Sequence, residues 1–350
     1  MAADLEQALE AVSAGVRRAV LTSTYAQSLA PEHLREAALL YPASGGKHLR
    51  SAMLAWSCGL LGGDPEAALP AAAAVELYHT WTLTHDDIID RDERRRGGPS
   101  VHAAFRERAR ELGIADAAHY GLSIALLAGD VQHAWAIELL AGLADSAVAL
   151  RLIRDLEGPV LRAIMEGEAR DLQFSHQPIE AVSEDEILAM IARKTSALYA
   201  FAATAGALIA GAGDADPRLA ALGDFGRLAA TAFQLRDDVL GLIGSDRELG
   251  KPVGSDLREG KRTTILRHAW LQASPAEREA LSRTVGRPDA DPAAVAAARD
   301  LLVRLGGTAH TDALARRHLE AAIERLEVFP LGRYRALLNA LACAMMDRTR

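Results

Sequence analysis

The segment His85-Asp86-Asp87-Ile88-Ile89-Asp90 places three carboxylates within about one helical turn of an apolar run. In a helix, residues i and i+4 share a face, so we expect Asp86 and Asp90 to point in the same direction. Carboxylates so close repel one another unless a cation neutralises them. Mg²⁺ suits this role because it prefers oxygen ligands and commonly joins carboxylates to substrate phosphates. The segment therefore predicts a helix with a magnesium site.

A second acidic pair lies far downstream, in Gln234-Leu235-Arg236-Asp237-Asp238. A single acidic cluster is also typical of a solvated helix face. Both clusters, however, lie within apolar sequence, which is not typical of solvated faces. We therefore expect two acidic helix faces to oppose each other across a cavity and to hold a diphosphate between metal ions.

The rest of the chain predicts an all-α protein. Aromatic residues make up only 5% of the sequence, and alternating strand-like runs are scarce. Ser183-x-x-Glu186 and Ser274-Pro275-x-Glu277 are capping boxes that start helices. No Ser/Gly linker divides the chain, which favours a single domain over residues 1–350. Long helices are predicted at about 67–91, 117–141, 145–174, 184–211 and 216–244.

Composition narrows the class of protein. The formal net charge of −8 argues against general nucleic-acid binding. Only two cysteines occur, so a disulfide framework is not expected. The first residues lack the basic-then-apolar order of a signal peptide, and no apolar run reaches the roughly 18 residues of a membrane span. We expect a soluble, cytoplasmic protein with no stable membrane span.

Cationic residues accompany the acidic motifs. Gly45-Gly46-Lys47-His48-Leu49-Arg50 predicts a helix start with Lys47 and Arg50 on one face, where a phosphate would also meet the helix dipole. Alone, this pattern is equally typical of a solvated basic turn. His79 lies two helical turns before Asp86, on the same predicted face. Arginine side chains bind phosphate oxygens bidentately, so the run Arg94-Arg95-Arg96 predicts a diphosphate clamp.

Further cations and polar groups follow in the second half of the chain. Lys194 and Thr195 are adjacent, and Gln234 lies three residues before Asp237, on its predicted face. Lys251 and Lys261 flank a glycine-rich segment that is suited to a loop closing over a charged ligand.

The order and spacing of these motifs resemble those of the trans-isoprenyl diphosphate synthases over about residues 40–270. The resemblance implies the isoprenoid synthase fold, a single-domain bundle of long antiparallel helices around a deep apolar cavity. It also implies a homodimer and Mg²⁺ as cofactor, with three ions per active site and Mn²⁺ able to substitute.

The same resemblance assigns roles to individual residues. The metal ligands would be Asp86, Asp90 and Asp237, assisted by Asp87 and Asp238. The groups holding the allylic diphosphate would be Arg95, Lys194, Thr195, Gln234 and Lys251, with Lys261 as a further cation. Isopentenyl diphosphate would bind Lys47, Arg50, His79 and Arg96. The implied reaction is ionisation of the allylic diphosphate, condensation and proton loss, without a side-chain nucleophile.

Several positions depart from the family pattern. Gly241 stands where many members carry a third aspartate of the second motif, which predicts a weaker but functional metal site. His48 replaces a frequent arginine and Ser51 a frequent proline. Asp171 is predicted either to support the cationic network or to be structural.

The length of the prenyl product would be limited by the side chains that precede the first motif on its helix. Trp81 lies five residues before Asp86, roughly 7.5 Å along a helix, and Tyr78 lies nearly one turn further. Large residues here resemble those of short-chain synthases and favour a C20 product, geranylgeranyl diphosphate, over C15 farnesyl diphosphate. The alternative interpretation is that Trp81 only packs against a neighbouring helix.

Two other functions remain open: a low-activity partner subunit of a heteromeric synthase, and a terpene cyclase, which needs no second substrate.

Overall fold

The structure is a computed structural model that describes residues 2–244 and 254–347. Helices dominate this part of the chain. Those of the first half are α1 (Ala2–Leu21), α2 (Thr24–Ser28), α3 (Glu32–Ala43), α4 (Leu49–Leu60), α5 (Leu69–Ile89), α6 (Val101–Glu111) and α7 (Ala117–Ala141). A minimal antiparallel hairpin, β1 (Arg94–Arg95) and β2 (Gly98–Pro99), follows α5 and pairs Arg95 with Gly98.

The second half continues with α8 (Ser146–Asp155), α9 (Leu161–Ser175), α10 (Glu184–Ile191), α11 (Ala197–Ile209) and α12 (Pro217–Ile243). A 3₁₀ turn spans Ile179–Ala181. The remaining helices of the described residues are α13 (Ser255–Glu259), α14 (Thr264–Gln272), α15 (Pro275–Ser282), α16 (Pro292–Arg304), α17 (Gly307–Arg325) and α18 (Arg333–Met346).

The prediction of an all-α protein is confirmed, and the long helices lie where they were expected. Two of them are interrupted by a π-helical turn. The turn Leu156–Val160 separates α8 from α9 and contains Pro159, which has no N–H to donate. The turn Ala192–Ser196 separates α10 from α11 and contains Lys194 and Thr195. Such turns often mark functional positions within helices, and hydrophobic periodicity does not predict them.

The chain forms two compact units. Unit 1 comprises Met1–Glu157, Phe201–Ala220 and Phe329–Leu341, and unit 2 comprises Gly158–Ala200, Ala221–Val328 and Ala342–Arg350. The first acidic motif and the 45–50 turn belong to unit 1, whereas the second acidic motif and Lys194 belong to unit 2. The single-domain organisation stays a prediction.

Unit 1 is built around α5, whose residues from Ala71 to Tyr78 are all buried. A helix that is apolar on every side is expected at the centre of a core. It packs against α1, α4 and α7. At its C-terminal end α7 comes so close that a Cβ on Gly129 would lie 2.2 Å from Nε2 of His85. Glycine at position 129 therefore allows the acidic end of α5 to approach α7.

Unit 2 has its own core, in which the second acidic motif is anchored. Leu235 of α12 is fully buried among side chains of α9, α10 and α17. The glycine at position 167 lets α9 pack closely against the π-helical turn Ala192–Ser196, since a Cβ there would lie 2.4 Å from the backbone nitrogen of Lys194. Both predicted capping boxes are present, Ser183 with Glu186 and Ser274 with Glu277.

Among the described residues, α7 is the one helix long and apolar enough to cross a membrane by length and composition. Of its 18-residue apolar window, 44% is buried inside the protein. A core helix of a soluble protein passes the same test, so this helix is weak evidence for a membrane span.

Candidate active site

The first acidic motif lies at the C-terminal end of α5. Asp86 is in the last turn, and Asp90 is the C-cap residue. One carboxylate oxygen of Asp86 and one of Asp90 lie within 4.8 Å of each other, and both residues are partly buried. The prediction that these two residues share a face is therefore confirmed. Two oxygen donors at this separation fit a divalent cation such as Mg²⁺.

Asp87 has a different environment from its two neighbours. Its side chain is 1% exposed and accepts hydrogen bonds from the Tyr41 hydroxyl and from Nε of Arg95, the latter at 2.7 Å. Burial raises the pKa of Asp87, although Arg95 and Tyr41 act in the opposite direction. Asp87 thus connects the end of α5 to α3 and to the hairpin, and this geometry gives it a positioning role.

The hairpin presents its arginines in different directions. Nη2 of Arg95 lies 3.5 Å from Oδ2 of Asp86 and contacts Asp87. Arg94 instead donates to the carbonyl of Gly97, at 2.7 Å, and so satisfies the backbone of its own turn. Of the predicted arginine clamp, Arg95 is therefore the member placed beside the metal ligands.

Arg96 belongs to a second cationic group. Its backbone has a φ of 53°, which lies in the left-handed region. Its guanidinium donates to the carbonyl of Gly45, and a Cβ on Gly46 would lie 3.1 Å from its nitrogens. The hairpin is thereby connected to the turn that carries Lys47 and Arg50.

The start of α4 differs from the prediction. The helix begins at Leu49, and His48 before it is left-handed with a φ of 46°. Lys47 is therefore outside the helix, and the prediction that Lys47 and Arg50 share a helical face is wrong. The two glycines and the left-handed His48 favour a turn instead of a further helical residue.

His79 joins this group from α5. Burial lowers the pKa of His79 well below its usual range, and the charges of Arg50 and Arg96 lower it further. The imidazole is therefore neutral at physiological pH, and Arg50 and Arg96 are close enough to act on it. His79, Arg50 and Arg96 are therefore neighbours in unit 1, and Lys47 lies in the turn whose Gly45 carbonyl accepts from Arg96.

Sequence reasoning missed Glu76, a carboxylate in the middle of the buried part of α5. Its side chain contacts Ser51 and His48, the two residues that depart from the family pattern. The available signal was an acidic residue within an apolar stretch, three positions before His79. Tyr41, which bonds to Asp87, was also missed.

The second acidic motif lies near the C-terminal end of α12. Nε2 of Gln234 donates to Oδ1 of Asp238 at 2.9 Å, and the hydroxyl of Thr195 donates to Oε1 of Gln234 at 3.1 Å. Gln234 was predicted on the face of Asp237, and its side chain contacts Asp238, since residues i+3 and i+4 are both neighbours of residue i on a helix. Burial, followed by the charge of Asp256, raises the pKa of Asp238 to about 7. A bound cation would oppose this effect.

Lys194 is held by two carboxylates in unit 2. Its Nζ lies 2.8 Å from Oδ2 of Asp171 and 2.8 Å from Oε2 of Glu168. The π-helical turn places Lys194 here, and the prediction that Asp171 supports the cationic network agrees with this contact. Lys261 pairs with Glu259 at 3.2 Å. Lys251 lies outside the described residues.

The position of Gly241 explains how the second motif differs from the family pattern. A Cβ on Gly241 would lie 3.3 Å from Oδ2 of Asp256, which belongs to the first turn of α13. The carboxylate of Asp256 therefore occupies space beside the position where many relatives carry their third aspartate.

The part of α5 just before the first motif packs through aromatic and polar side chains. Trp81 is 8% exposed, and its indole N–H donates to Nδ1 of His85 at 3.1 Å. Its ring centroid lies 4.9 Å from that of Tyr78 and 4.6 Å from that of His133 on α7. Nε2 of His133 in turn lies 3.0 Å from a carboxylate oxygen of Glu157. Trp81 thus packs against α7 through His133, which also contacts the carboxylate of Glu157.

Comparison with known proteins places this arrangement in a family. The sequence profile of the polyprenyl synthetases matches residues 31–302. A short chain isoprenyl diphosphate synthase from Methanothermobacter thermautotrophicus is 37% identical over 91% of this chain and 92% of its own length. A geranylgeranyl diphosphate synthase from Sulfolobus acidocaldarius is 40% identical over 74% of this chain and 73% of its own length.

Solved structures agree with the sequence relatives. A geranylgeranyl pyrophosphate synthase from Corynebacterium glutamicum, solved with isoprenyl diphosphate and magnesium, has a TM-score of 0.83 and 32% identity. The alignment covers 98% of each chain. The predicted isoprenoid synthase fold is thereby confirmed.

Proposed function

The chain belongs to the polyprenyl synthetase family and is a trans-prenyltransferase, and we propose that it condenses isopentenyl diphosphate with an allylic diphosphate to give geranylgeranyl diphosphate. The observation that carries the proposal is the pair Asp86 and Asp90, with carboxylate oxygens within 4.8 Å of each other and Arg95 beside Asp86. This donor set is suited to an allylic diphosphate bound through Mg²⁺.

Asp86, Asp90 and Asp237 would hold the Mg²⁺ ions, three in number, with Mn²⁺ able to substitute. When bound, these ions supply charge stabilisation for the departing diphosphate. The same leaving group would be held by Arg95, Lys194, Thr195, Gln234 and Lys251, with Lys261 as a further cation. Preorganised donors of this kind stabilise charge that develops in the transition state.

The second substrate would bind through Lys47, Arg50, His79 and Arg96. Arginine and lysine hold the diphosphate by charge-assisted hydrogen bonds, and the neutral His79 imidazole has one N–H to donate. This subsite fixes the double bond of isopentenyl diphosphate for attack on the allylic carbon. The proton lost after condensation passes to the released diphosphate, so no side-chain base is required.

Product length is proposed to be limited by Trp81 and then by Tyr78, which close a deep apolar cavity for the growing chain. Both side chains are buried, and both contact His133 of α7. A wall supported from a second helix resists displacement by the product, because a buried aromatic side chain has little space into which it can rotate. This supports a short product, C20 before C15.

The test is incubation of the purified chain with Mg²⁺, isopentenyl diphosphate and, in turn, the C5, C10 and C15 allylic diphosphates. Chromatography of the products should show a C20 prenyl diphosphate that requires both substrates. A terpene cyclase would consume an allylic diphosphate alone, and a partner subunit would make no product by itself. Either result would contradict the proposal.

We also propose that the protein is a cytoplasmic homodimer. The family resemblance supports the dimer, and the acidic composition with two free cysteines supports the compartment. The mass of one chain is 37.3 kDa. Sedimentation velocity of the purified protein should show a species of twice that mass. A single monomeric species at micromolar concentration would contradict it.

A further inference from the structure

A buried carboxylate lies beneath the proposed isopentenyl diphosphate subsite and has no role in the chemistry described above. Glu76 is 8% exposed, and residues Ala71–Val75 before it are all buried and apolar. A carboxylate in such a position is costly unless its neighbours compensate for the lost hydration. Its contacts therefore show what it is positioned to hold.

Those contacts are both at the start of α4. Oε2 of Glu76 accepts a hydrogen bond from the Ser51 hydroxyl at 3.3 Å, and Oε1 lies 3.6 Å from Nδ1 of His48. The same hydroxyl lies 2.9 Å from the carbonyl of Ala72, so Ser51 is held against α5 at two points. His48 directly follows Lys47, and Ser51 directly follows Arg50. The Glu76 carboxylate thus holds the turn before α4 and the first turn of that helix against α5, and these carry two of the proposed diphosphate ligands, Lys47 and Arg50.

The left-handed backbone of His48 makes this attachment necessary. A non-glycine residue with a φ of 46° is in a sparsely populated conformation that persists only when its surroundings hold it. Glu76 contacts the turn from α5, and the guanidinium of Arg96 donates to the carbonyl of Gly45 from the hairpin. The turn is therefore held from two elements, each of which also carries a diphosphate ligand.

The charge of Glu76 is maintained at neutral pH. Burial alone would raise the pKa of its carboxyl group, but the neighbouring His48 and Arg50 outweigh burial and lower that pKa to about 2. A fixed negative charge beside Arg50 and Arg96 reduces the repulsion between these two guanidinium groups before a ligand binds. The subsite is thereby preorganised, which lowers the cost of binding an anion.

We propose that Glu76 is a positioning residue for the diphosphate of isopentenyl diphosphate, acting through Ser51 and His48 on the turn that carries Lys47 and Arg50. This inference rests on the proposed function. It predicts a selective effect: the second substrate depends on Glu76, whereas the allylic substrate, with its own ligands, does not.

The test compares Glu76→Gln with the unaltered protein. Binding of isopentenyl diphosphate alone, measured calorimetrically without an allylic substrate, should weaken about tenfold, or about 1.4 kcal/mol. In steady-state assays the KM for isopentenyl diphosphate should rise by a similar factor, while kcat and the KM for the allylic diphosphate change less than about twofold. Circular dichroism and thermal unfolding would establish that the variant is folded.

Ser51→Ala provides a milder second variant, because it retains the carboxylate and removes the single hydroxyl that Glu76 and the Ala72 carbonyl share. It should raise the KM for isopentenyl diphosphate about threefold, roughly the effect of one neutral hydrogen bond. Ser57→Ala is the matched control, since Ser57 is a buried serine of the same helix. It should leave both KM values unchanged.

Unchanged isopentenyl diphosphate binding in Glu76→Gln, or equal increases in both KM values, would overturn the inference. If Glu76→Gln does not fold, Ser51→Ala decides by the same criterion. A wild-type protein that neither binds isopentenyl diphosphate nor forms a product would instead contradict the proposed function itself.

Discussion

Three aspartates of one helical end have two kinds of environment. Asp86 and Asp90 are partly buried neighbours with one carboxylate oxygen of each within 4.8 Å of the other, whereas Asp87 is buried and bonded to Tyr41 and Arg95. Spacing alone predicted the first pair, because i and i+4 share a face. The partners of Asp87 come from α3 and the hairpin, so its environment depends on tertiary structure.

We predict that Asp86→Ala and Asp90→Ala each lower turnover by several orders of magnitude without loss of folding. Removal of one carboxylate removes a metal ligand and also relieves repulsion between like charges. The measurement is kcat with saturating substrates, together with thermal unfolding. Glu107→Gln on α6, an exposed carboxylate paired with Arg110, is the control. Near-normal turnover in either aspartate variant, or full activity in excess chelator, would contradict the metal role.

A second prediction concerns Gly241 and Asp256. If Asp256 supplies the carboxylate that the second motif lacks, Asp256→Asn should raise the Mg²⁺ concentration for half-maximal activity by about 10- to 100-fold, as expected for the loss of one supporting partner. Gly241→Asp in the Asp256→Asn background should recover part of this loss. In the wild-type background the same substitution should not help, because its Cβ would lie 3.3 Å from Oδ2 of Asp256. An unchanged Mg²⁺ dependence in Asp256→Asn would exclude this role.

At the scale of elements, the residues proposed for the two diphosphate subsites lie on different segments. Lys47 and Arg96 lie in the turn before α4 and in the hairpin, and Lys194 lies in a π-helical turn of unit 2. Lys47→Ala and Arg96→Ala should each raise chiefly the KM for isopentenyl diphosphate. Lys194→Ala should affect chiefly the allylic KM or kcat, since each subsite has its own hydrogen bonds of roughly 1.5–3 kcal/mol. Equal effects of all three variants on both substrates would show that the assignment is wrong.

The packing of α5 against α7 leads to a prediction about product length. Trp81→Ala removes an indole that contacts Tyr78 and His133, and the product should lengthen by at least one C5 unit. Truncation of a buried aromatic costs roughly 3–5 kcal/mol, so lower stability is also expected. Product chromatography is the measurement, and the Trp81/Tyr78 double alanine variant should extend the chain again. An unchanged product from a soluble, active Trp81→Ala protein would mean that Trp81 only packs the helices.

For the whole molecule, the buried charge of Glu76 predicts a pH dependence of stability. Its pKa falls from an ordinary 4.5 to about 2 on folding, so the ionised carboxylate stabilises the folded state above about pH 4.5. That contribution decreases as the pH falls from 4.5 towards 2. Thermal unfolding of the wild type between pH 6 and pH 3 should therefore show a steeper loss of Tm than that of Glu76→Gln. Parallel curves for the two proteins would show that Glu76 does not contribute to acid sensitivity.

The sequence by itself determined the helical class, the positions of the long helices and the shared face of Asp86 and Asp90. These features depend on contacts between residues close in the chain, which the 3.6-residue period and the capping boxes report directly. Family resemblance added the functional assignment of Lys194, Gln234 and the arginines. It did not identify the partners of Asp87, or the contacts of Gln234 with Asp238 and Thr195.

Only the tertiary structure decided how the cationic turn before α4 is held. The sequence predicted a helix at Lys47, whereas the left-handed His48 delays the helix to Leu49. Glu76, 28 residues after His48, and Arg96 from the hairpin hold that turn in place. Such contacts join residues far apart in the chain, and no local periodicity encodes them. The physical reason is that a strained turn and a buried charge are stable only when several elements meet around them.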